Sequence, residues 1–471
     1  MANVTMLPLL RMGNEMTTDL TPRWKDFAVY LPAIQFPFAS TVDSDKNRDK
    51  KRPFPKGIKL TDLDFLNPKS KLWHYGYGLY SVGQFTDASP KACCVTNRDK
   101  TCTTILGDSG GFQIGNGTLK GTEHFKKAKT NAELMEVWRG SGDIRKRIVT
   151  WLNNNCDYAM TIDMPLWARE PSKKGTPFHK CSEDELIAMT LDNLKYIQQH
   201  RKGNTKWLNV LQGTTGKDSK QWWDAVKRYK FDGYAIAGGI GWRGGLINVL
   251  NYVLMMRDDN AFEVGNDWMH MLGVSQPIWA VLNTAIQKNI RKVCNNPTFR
   301  ISYDSASPFQ HAGRYQCVAR YPKLMGDPST WVMTAHEAPI NPLYANTNGT
   351  YRFPYPSPIG DLLTLDHLNV NGGEFRKRTY DSISDHLLTN HNVWVYVRSF
   401  LEANELAFML KSDADKAVPQ KLLDAIAYIE YIMTESSWKT RLQKDKKFLT
   451  DLFGKAQFVF DEEREKVAYT E

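Results

Sequence analysis

The chain lacks the features that would place it in a membrane, a secretory compartment or a repeat array. No run of about 18 apolar residues is present that would span a bilayer. The opening MANVTMLPLLRMGNEM is short, mixed and polar within a dozen residues, unlike a secretory leader. Only seven cysteines occur in 471 residues, at 93, 94, 102, 156, 181, 294 and 317. An odd, irregularly spaced set excludes a disulfide framework and fits reduced thiols. Internal repeats and low-complexity tracts are also missing. The expectation is a cytoplasmic protein with no membrane partner.

What is present points to an α/β enzyme scaffold. Hydrophobic residues make up 42% of the chain, enough for a large core, and a (β/α)₈ barrel takes about 250 residues plus insertions. The net charge of +10 and pI near 9.0 suit a polyanionic partner, though charge alone is weak evidence. Short strand-like runs alternate with helical patterns, the signature of βα units on a parallel sheet. The strand candidates are 27–36, 102–110, 156–165, 206–213, 231–240, 268–275 and 299–307. Helical spacing covers 133–154, with a break at its glycines, then 183–202, 217–229, 246–258 and 278–292. The charged insertion 43–56 reads as a solvated loop and 318–375 as irregular. Helical patterns return at 380–411, 419–434 and 437–454.

Successive strands end in a polar residue or glycine: Asp108, Asp163, Gln212, Gly238–Gly239 and Asp304. Taken singly, each is also a good turn former. Taken in series, they are placed as a TIM barrel assembles its chemistry, on the rim formed by the C-terminal strand ends.

GDSGGFQ (107–113), the strand ending in Asp163, VLQG (210–213), FDGYAIAGG (231–239), HMLGV (270–274) and YDSASP (303–308) follow one another as in the tRNA-guanine transglycosylase superfamily, which the chain resembles over roughly residues 25–400. LLTNHN (387–392) is similar to that family's C-terminal helix. The resemblance implies a TIM barrel over 1–405, with an irregular insertion near 318–375, and a helical extension over 406–471. It implies that Asp304 is the nucleophile that captures C1′ and Asp108 the general acid/base. Ser109, Gly110, Asp163, Gln212, Gly238 and Gly239 would line the base pocket, with Asp163 on the N1–H and 2-amino edge. Gln212 and the glycine amides would meet O6. Phe112 and Met271 are candidates to sandwich the base, core packing being the alternative for each. Arg314 is a candidate to support the nucleophile loop or a phosphate, or else an exposed surface arginine.

The pattern departs from the tRNA enzymes in one respect. Their cysteine-rich zinc site after the nucleophile strand has no counterpart, because Cys317 is the last cysteine. His367 and His386 without thiolates make a poor zinc site, so no metal and no cofactor is expected. The chain is therefore most similar to the branch that inserts 7-deazaguanines into phage or bacterial DNA, acting in the host cytoplasm if phage-encoded. The stretch after the glycine pair carries Arg243 and no carboxylate, which favours a neutral incoming base such as preQ0. The alternatives are a tRNA enzyme without zinc, a non-catalytic nucleic-acid-binding partner subunit, and a generic barrel hydrolase. A homodimer or a helper protein is left open. Lysines within 439–455 read as a solvated helix face or a phosphate contact.

Overall fold

Eight short runs pair side by side in parallel and close on themselves: β1 (Val29–Ile34), β2 (Tyr77–Ser81), β3 (Thr104–Asp108), β4 (Tyr158–Met160), β5 (Lys206–Leu211), β6 (Gly233–Ile236), β7 (Trp268–Met271) and β8 (Arg300–Ser305). The computed structural model describes residues 18–84, 92–237, 245–274, 276–338, 351–368, 381–409 and 417–451. The ring closes at β8, whose Asp304 lies opposite Leu31 of β1 and whose Tyr303 lies opposite Met271 of β7. This is the expected α/β class with the architecture of a TIM barrel. Seven of its strands fall within the runs read from the sequence, and β2 does not.

The helices between the strands begin where the sequence supplies caps. α1 (Gly142–Asn155) is separated from the helix Asn131–Gly140 by Ser141, at the expected glycine break. α2 (Glu183–His200) opens on a reciprocal Ser182/Glu185 capping box. α3 (Gly216–Val226) is capped by the Thr215 hydroxyl, and α4 (Gly245–Asp258) follows β6. α5 (Pro277–Val293) starts on proline, whose missing N–H is no loss in a first turn. Inside the barrel, the N-terminal strand ends are plugged by large side chains. Tyr158 and Trp268 pack with ring centroids 4.3 Å apart, and Arg300 Nη1 donates to the Tyr77 hydroxyl at 3.1 Å. The mouth at the opposite end is left for polar groups.

The seam between β8 and β1 is covered by α6 (Ser382–Phe408), which stacks Tyr396 and Phe400 on Tyr30 and Tyr303. α6 carries three consecutive buried polar residues, and each ties down a different segment. Asn390 accepts from Trp73 Nε1 and donates to Leu63 O. His391 contacts Ser357 Oγ and Ala319 O. Asn392 donates to Pro308 O and Cys317 O, both at 3.1 Å, and accepts from Ala319 N at 2.7 Å. The LLTNHN motif is thus a clamp on the chain just after β8.

Two expectations are corrected. Within the insertion 43–56, Arg52 is buried, its guanidinium forking onto Asp381 at 2.6 and 2.9 Å and reaching Ser384 Oγ, His367 O and Pro53 O. A side chain with five donors finds enough partners there to leave water. The stretch 318–375 is not wholly irregular either, because Cys317–Arg320 and Thr334–Glu337 pair as an antiparallel ribbon. Beyond α6 lie helices Gln420–Ile432, Trp438–Lys444 and Lys446–Asp451, with the Trp438 indole donating to Asp258 at the end of α4. No helix among the described residues is long and apolar enough to cross a membrane.

Asn392→Ala removes the clamp and takes the amide away from Ala319 N, Pro308 O and Cys317 O. It should lower unfolding stability by about 2–4 kcal/mol, read as a lower urea midpoint at unchanged slope. An unchanged midpoint would show that water replaces the amide.

Candidate active site at the barrel mouth

The mouth is built from the residues that leave β2, β3, β4, β5, β7 and β8. Asp108 ends β3 beside Ser81, its register partner on β2. Ser81 Oγ accepts from Gly83 N, which leaves its hydroxyl hydrogen for Asp108. Gly110 then turns the chain at φ +85°, a conformation that favours glycine, and its N–H returns to Asp108 Oδ1 at 3.2 Å. The next residue, Gly111, opens a short helix against Asp163. A Cβ at Gly111 would stand 2.8 Å from Asp163 Oδ1, so only glycine allows this approach.

Asp163 lies three residues beyond β4 on a segment pinned by α2. Thr190 Oγ1 accepts from Met164 N at 3.0 Å, and Asn193 Nδ2 donates to Ile162 O at 3.1 Å. Gln212 follows β5, its carbonyl taken by the Tyr252 hydroxyl of α4, while Asn248 donates to Gly213 O. Its amide Nε2 donates to Asp163 Oδ2 at 2.5 Å, and its Oε1 is buried with no partner. The ionised Asp163 carboxylate accepts hydrogen bonds and does not donate them, which sets this amide orientation once Asp163 has lost its proton. The second Nε2 hydrogen and the orphaned Oε1 remain for a ligand.

Asp304 stands on β8 with its side chain 15% exposed, open to the mouth. Its Oδ1 accepts from Gly273 N at 2.8 Å and lies 3.3 Å from His270 Nε2, an electrostatic contact that stops short of an in-line hydrogen bond. Behind it runs a buried relay. Trp268 Nε1 donates to Ser302 Oγ at 2.7 Å, and Ser302 Oγ lies 2.8 Å from His270 Nδ1. The serine oxygen has two lone pairs and one hydrogen, so it takes the indole N–H and still bonds Nδ1, which fixes the ring with Nε2 facing Asp304. Sequence reasoning missed Ser81, Trp268, His270, Gly273 and Ser302 as site residues.

The carboxyls interact. Burial, foremost, and the charge of Asp304 push Asp108 above the usual carboxylate range, while Ser81, the Gly110 amide and His270 oppose the shift. Burial pushes Asp163 up to about 7, against the Gln212 hydrogen bond and reinforced by Asp108. Asp108 is therefore the electrostatic bridge between Asp163 and Asp304. A mouth that holds the half-buried Asp304 beside two carboxyls whose hold on a proton is strengthened by burial is equipped for nucleophilic attack coupled to proton transfer.

The remaining expected residues divide. Ser109 is buried and donates its hydroxyl to Thr161 O, bracing β3 against the segment after β4 instead of offering that hydrogen to a ligand. Phe112 is not core: it is 63% exposed on the rim, 5.5 Å from the ring of Trp167. Met271 is fully buried and opposite Tyr303, whose ring packs outward on Phe400. Side chains alternate along a strand, so with His270 in the mouth Met271 faces the helices and cannot sandwich a base there. Arg314 is exposed and lies over the Tyr315 ring. His367 Nδ1 accepts from Thr364 N, and His386 is buried edge-on to Phe38. Among the described residues no group of three or more His, Cys, Asp or Glu is arranged to hold a metal. Gly238, Gly239 and Arg243 lie outside the described residues. No protein-family model and no curated protein matches the chain.

Asp163 makes the site costly to the fold. Its folded value of about 7 exceeds the ordinary 3.8, so its contribution to stability falls as pH rises from about 4 to about 7 and is level above. Asp163→Asn should therefore raise the melting temperature at pH 8, within a ceiling of about 4 kcal/mol, and the gain should shrink toward zero at about pH 4.5. A gain equal at both pH values, or a loss at pH 8, would contradict this assignment.

Proposed function

We propose that this protein is a guanine transglycosylase that exchanges guanine in DNA for a 7-deazaguanine such as preQ0. One observation carries the reading. Asp108, Asp163 with Gln212, and Asp304, from strands up to about 200 residues apart in sequence, meet at one barrel mouth, and that proximity supports the roles the motif resemblance implies.

In this reading the Asp304 carboxylate attacks C1′, forming an ester as the bond from C1′ to guanine N9 breaks. Asp108, whose hold on a proton is strengthened by burial, donates one to the departing base. The incoming deazaguanine occupies the vacated pocket, returns a proton from N9 to Asp108, and attacks C1′ to release the Asp304 carboxylate. The stereochemistry is retained by double displacement. Asp163, once ionised, accepts from N1–H and the 2-amino group. The second Gln212 amide hydrogen reaches O6. A guanine stacked in a duplex must be extruded, or met as a single strand, before C1′ is accessible.

His270 acts through Asp304 and is a positioning residue. The Gly273 amide and the His270 ring beside it hold Oδ1, leaving Oδ2 for attack.

Nucleoside mass spectrometry after incubation of the protein and preQ0 with duplex DNA, single-stranded DNA or tRNA tests the reading. A deazaguanine deoxynucleoside in the DNA digests is expected. Product in tRNA alone would move the substrate to RNA, and no product in any digest would overturn the exchange activity. The base-exchange kcat/KM should fall on the acid side of about pH 7 as Asp163 takes up a proton. His270→Ala should lower kcat by about 10–100-fold with little change in KM for the base. A change in KM alone would instead place His270 in base binding.

A further inference from the structure

The positive charge of the chain is unevenly distributed. Segments 118–129 and 166–180 together hold eight Lys and Arg against two Glu, in a protein whose whole net charge is +10. These are the segments that follow β3 and β4, the strands that lead to Asp108 and Asp163. They pack together as one surface. Phe125 meets Phe178 edge-on at 6.1 Å, Asn131 Nδ2 donates to Lys180 O at 3.0 Å, and a Cβ at Gly117 would touch both Pro177 and Lys126. Lys126, Lys127, Lys129, Lys174 and Lys180 are exposed, and none forms an ion pair among the described residues. Lysines left unneutralised beside one another repel, an arrangement without benefit to the fold and suited to a polyanion.

Two aromatic rings stand at the inner edge of this surface. Phe112 is 63% exposed, which is unusual for so large an apolar side chain. Its neighbour Trp167 carries the Lys173 ammonium over its ring at 4.8 Å. At the outer edge, a groove of about 920 Å³ is lined by His124, Lys146 and Arg147 together with Ile144 and Trp151. None of the mouth carboxyls lines this groove, so it is a separate concavity. Arg147 is bound to the 118–129 segment through the Lys120 carbonyl.

We infer that this face is the track for a single DNA strand, with backbone phosphates on Lys126, Lys127, Lys129, Lys174 and Lys180 and a nucleotide flanking the target stacked on the Phe112–Trp167 pair. The inference rests on the nucleic-acid substrate of the reading above and adds the path by which it reaches the mouth. Aromatic faces take any base, and the lysines contact only phosphate, so the track is tolerant of sequence. It also places the strand against β3 and β4 rather than against the C-terminal helices, whose lysines are the competing surface.

The test is binding of a fluorescein-labelled single-stranded DNA oligonucleotide by anisotropy across a salt series, without any incoming base. Four proteins are compared: the unsubstituted chain, the triple variant Lys126→Gln/Lys127→Gln/Lys129→Gln, the control Lys439→Gln/Lys444→Gln/Lys447→Gln, and Phe112→Ala. All six lysines are exposed, and circular dichroism verifies the fold. The first variant should weaken binding about tenfold or more at low salt and reduce the slope of log affinity against log salt by about 2. The control should match the unsubstituted chain. Phe112→Ala should weaken binding without altering the slope. A first variant indistinguishable from the unsubstituted chain, a loss confined to the control, or no binding by the unsubstituted chain at low salt would overturn the track. Binding is read independently of chemistry. A protein that exchanges no base yet shows this footprint keeps the track and loses the transglycosylase reading. One that exchanges base with indifferent lysines does the reverse.

Discussion

Closing an all-parallel sheet is the constraint from which the rest of the molecule follows. Once β8 pairs with β1, with Asp304 opposite Leu31, the C-terminal ends of all eight strands share one rim. The opposite end is plugged by Tyr158, Trp268, Arg300 and Tyr77, so the rim is where polar side chains gather. The closing strand is also the strand that carries Asp304. It is held on its inner face by the Trp268–Ser302–His270 relay and on its outer face by the rings of Tyr30 and Phe400. α6 then fastens the chain that leaves β8 through Asn392. The same strand thus completes the barrel and fixes the Asp304 side chain that opens to the mouth.

The mouth is assembled at a cost to the fold. Among the described residues, Asp108 and Asp163 are desolvated with no Lys or Arg paired to either, and Gln212 Oε1 is buried without a partner. Such groups are destabilising unless something arrives to pair them. An acceptor at Asp163 beside the free amide hydrogen of Gln212 matches a ligand edge that presents N–H donors next to a carbonyl oxygen. The shell behind them is rigid: Thr190, Asn193, Asn248 and Tyr252 each hold backbone of the segments that carry Asp163 and Gln212. Preorganised donors and acceptors of this kind discriminate by leaving the wrong ligand unpaired.

Much of this was legible in the residues, for physical reasons. Strand ends in Asp108, Asp163, Gln212 and Asp304 stand out because a polar residue closes an apolar run there. Capping residues such as Ser182 and Asp381 likewise mark helix starts by their own chemistry. β2 was not legible, because YGLYS mixes aromatic, glycine and polar residues with no clean alternation, and only pairing with β1 and β3 makes it a strand. Face was harder to read than element. Met271 and His270 are neighbours in one motif, and the contact of His270 with Ser302, 32 residues away in sequence, decides which of them enters the mouth. Arg52 was unreadable for the same reason: its partners Asp381 and Ser384 are more than 300 residues distant.

The central claim is that Asp304 becomes covalently bonded to the sugar while the base is exchanged. It is tested most directly by incubating the protein with a labelled oligonucleotide that contains guanine, without an incoming base, quenching in acid, and mapping the adduct by peptide mass spectrometry. The account predicts a nucleic-acid adduct on the peptide that contains Asp304, absent from Asp304→Asn. An adduct on another residue, or base exchange retained by Asp304→Asn, would contradict it.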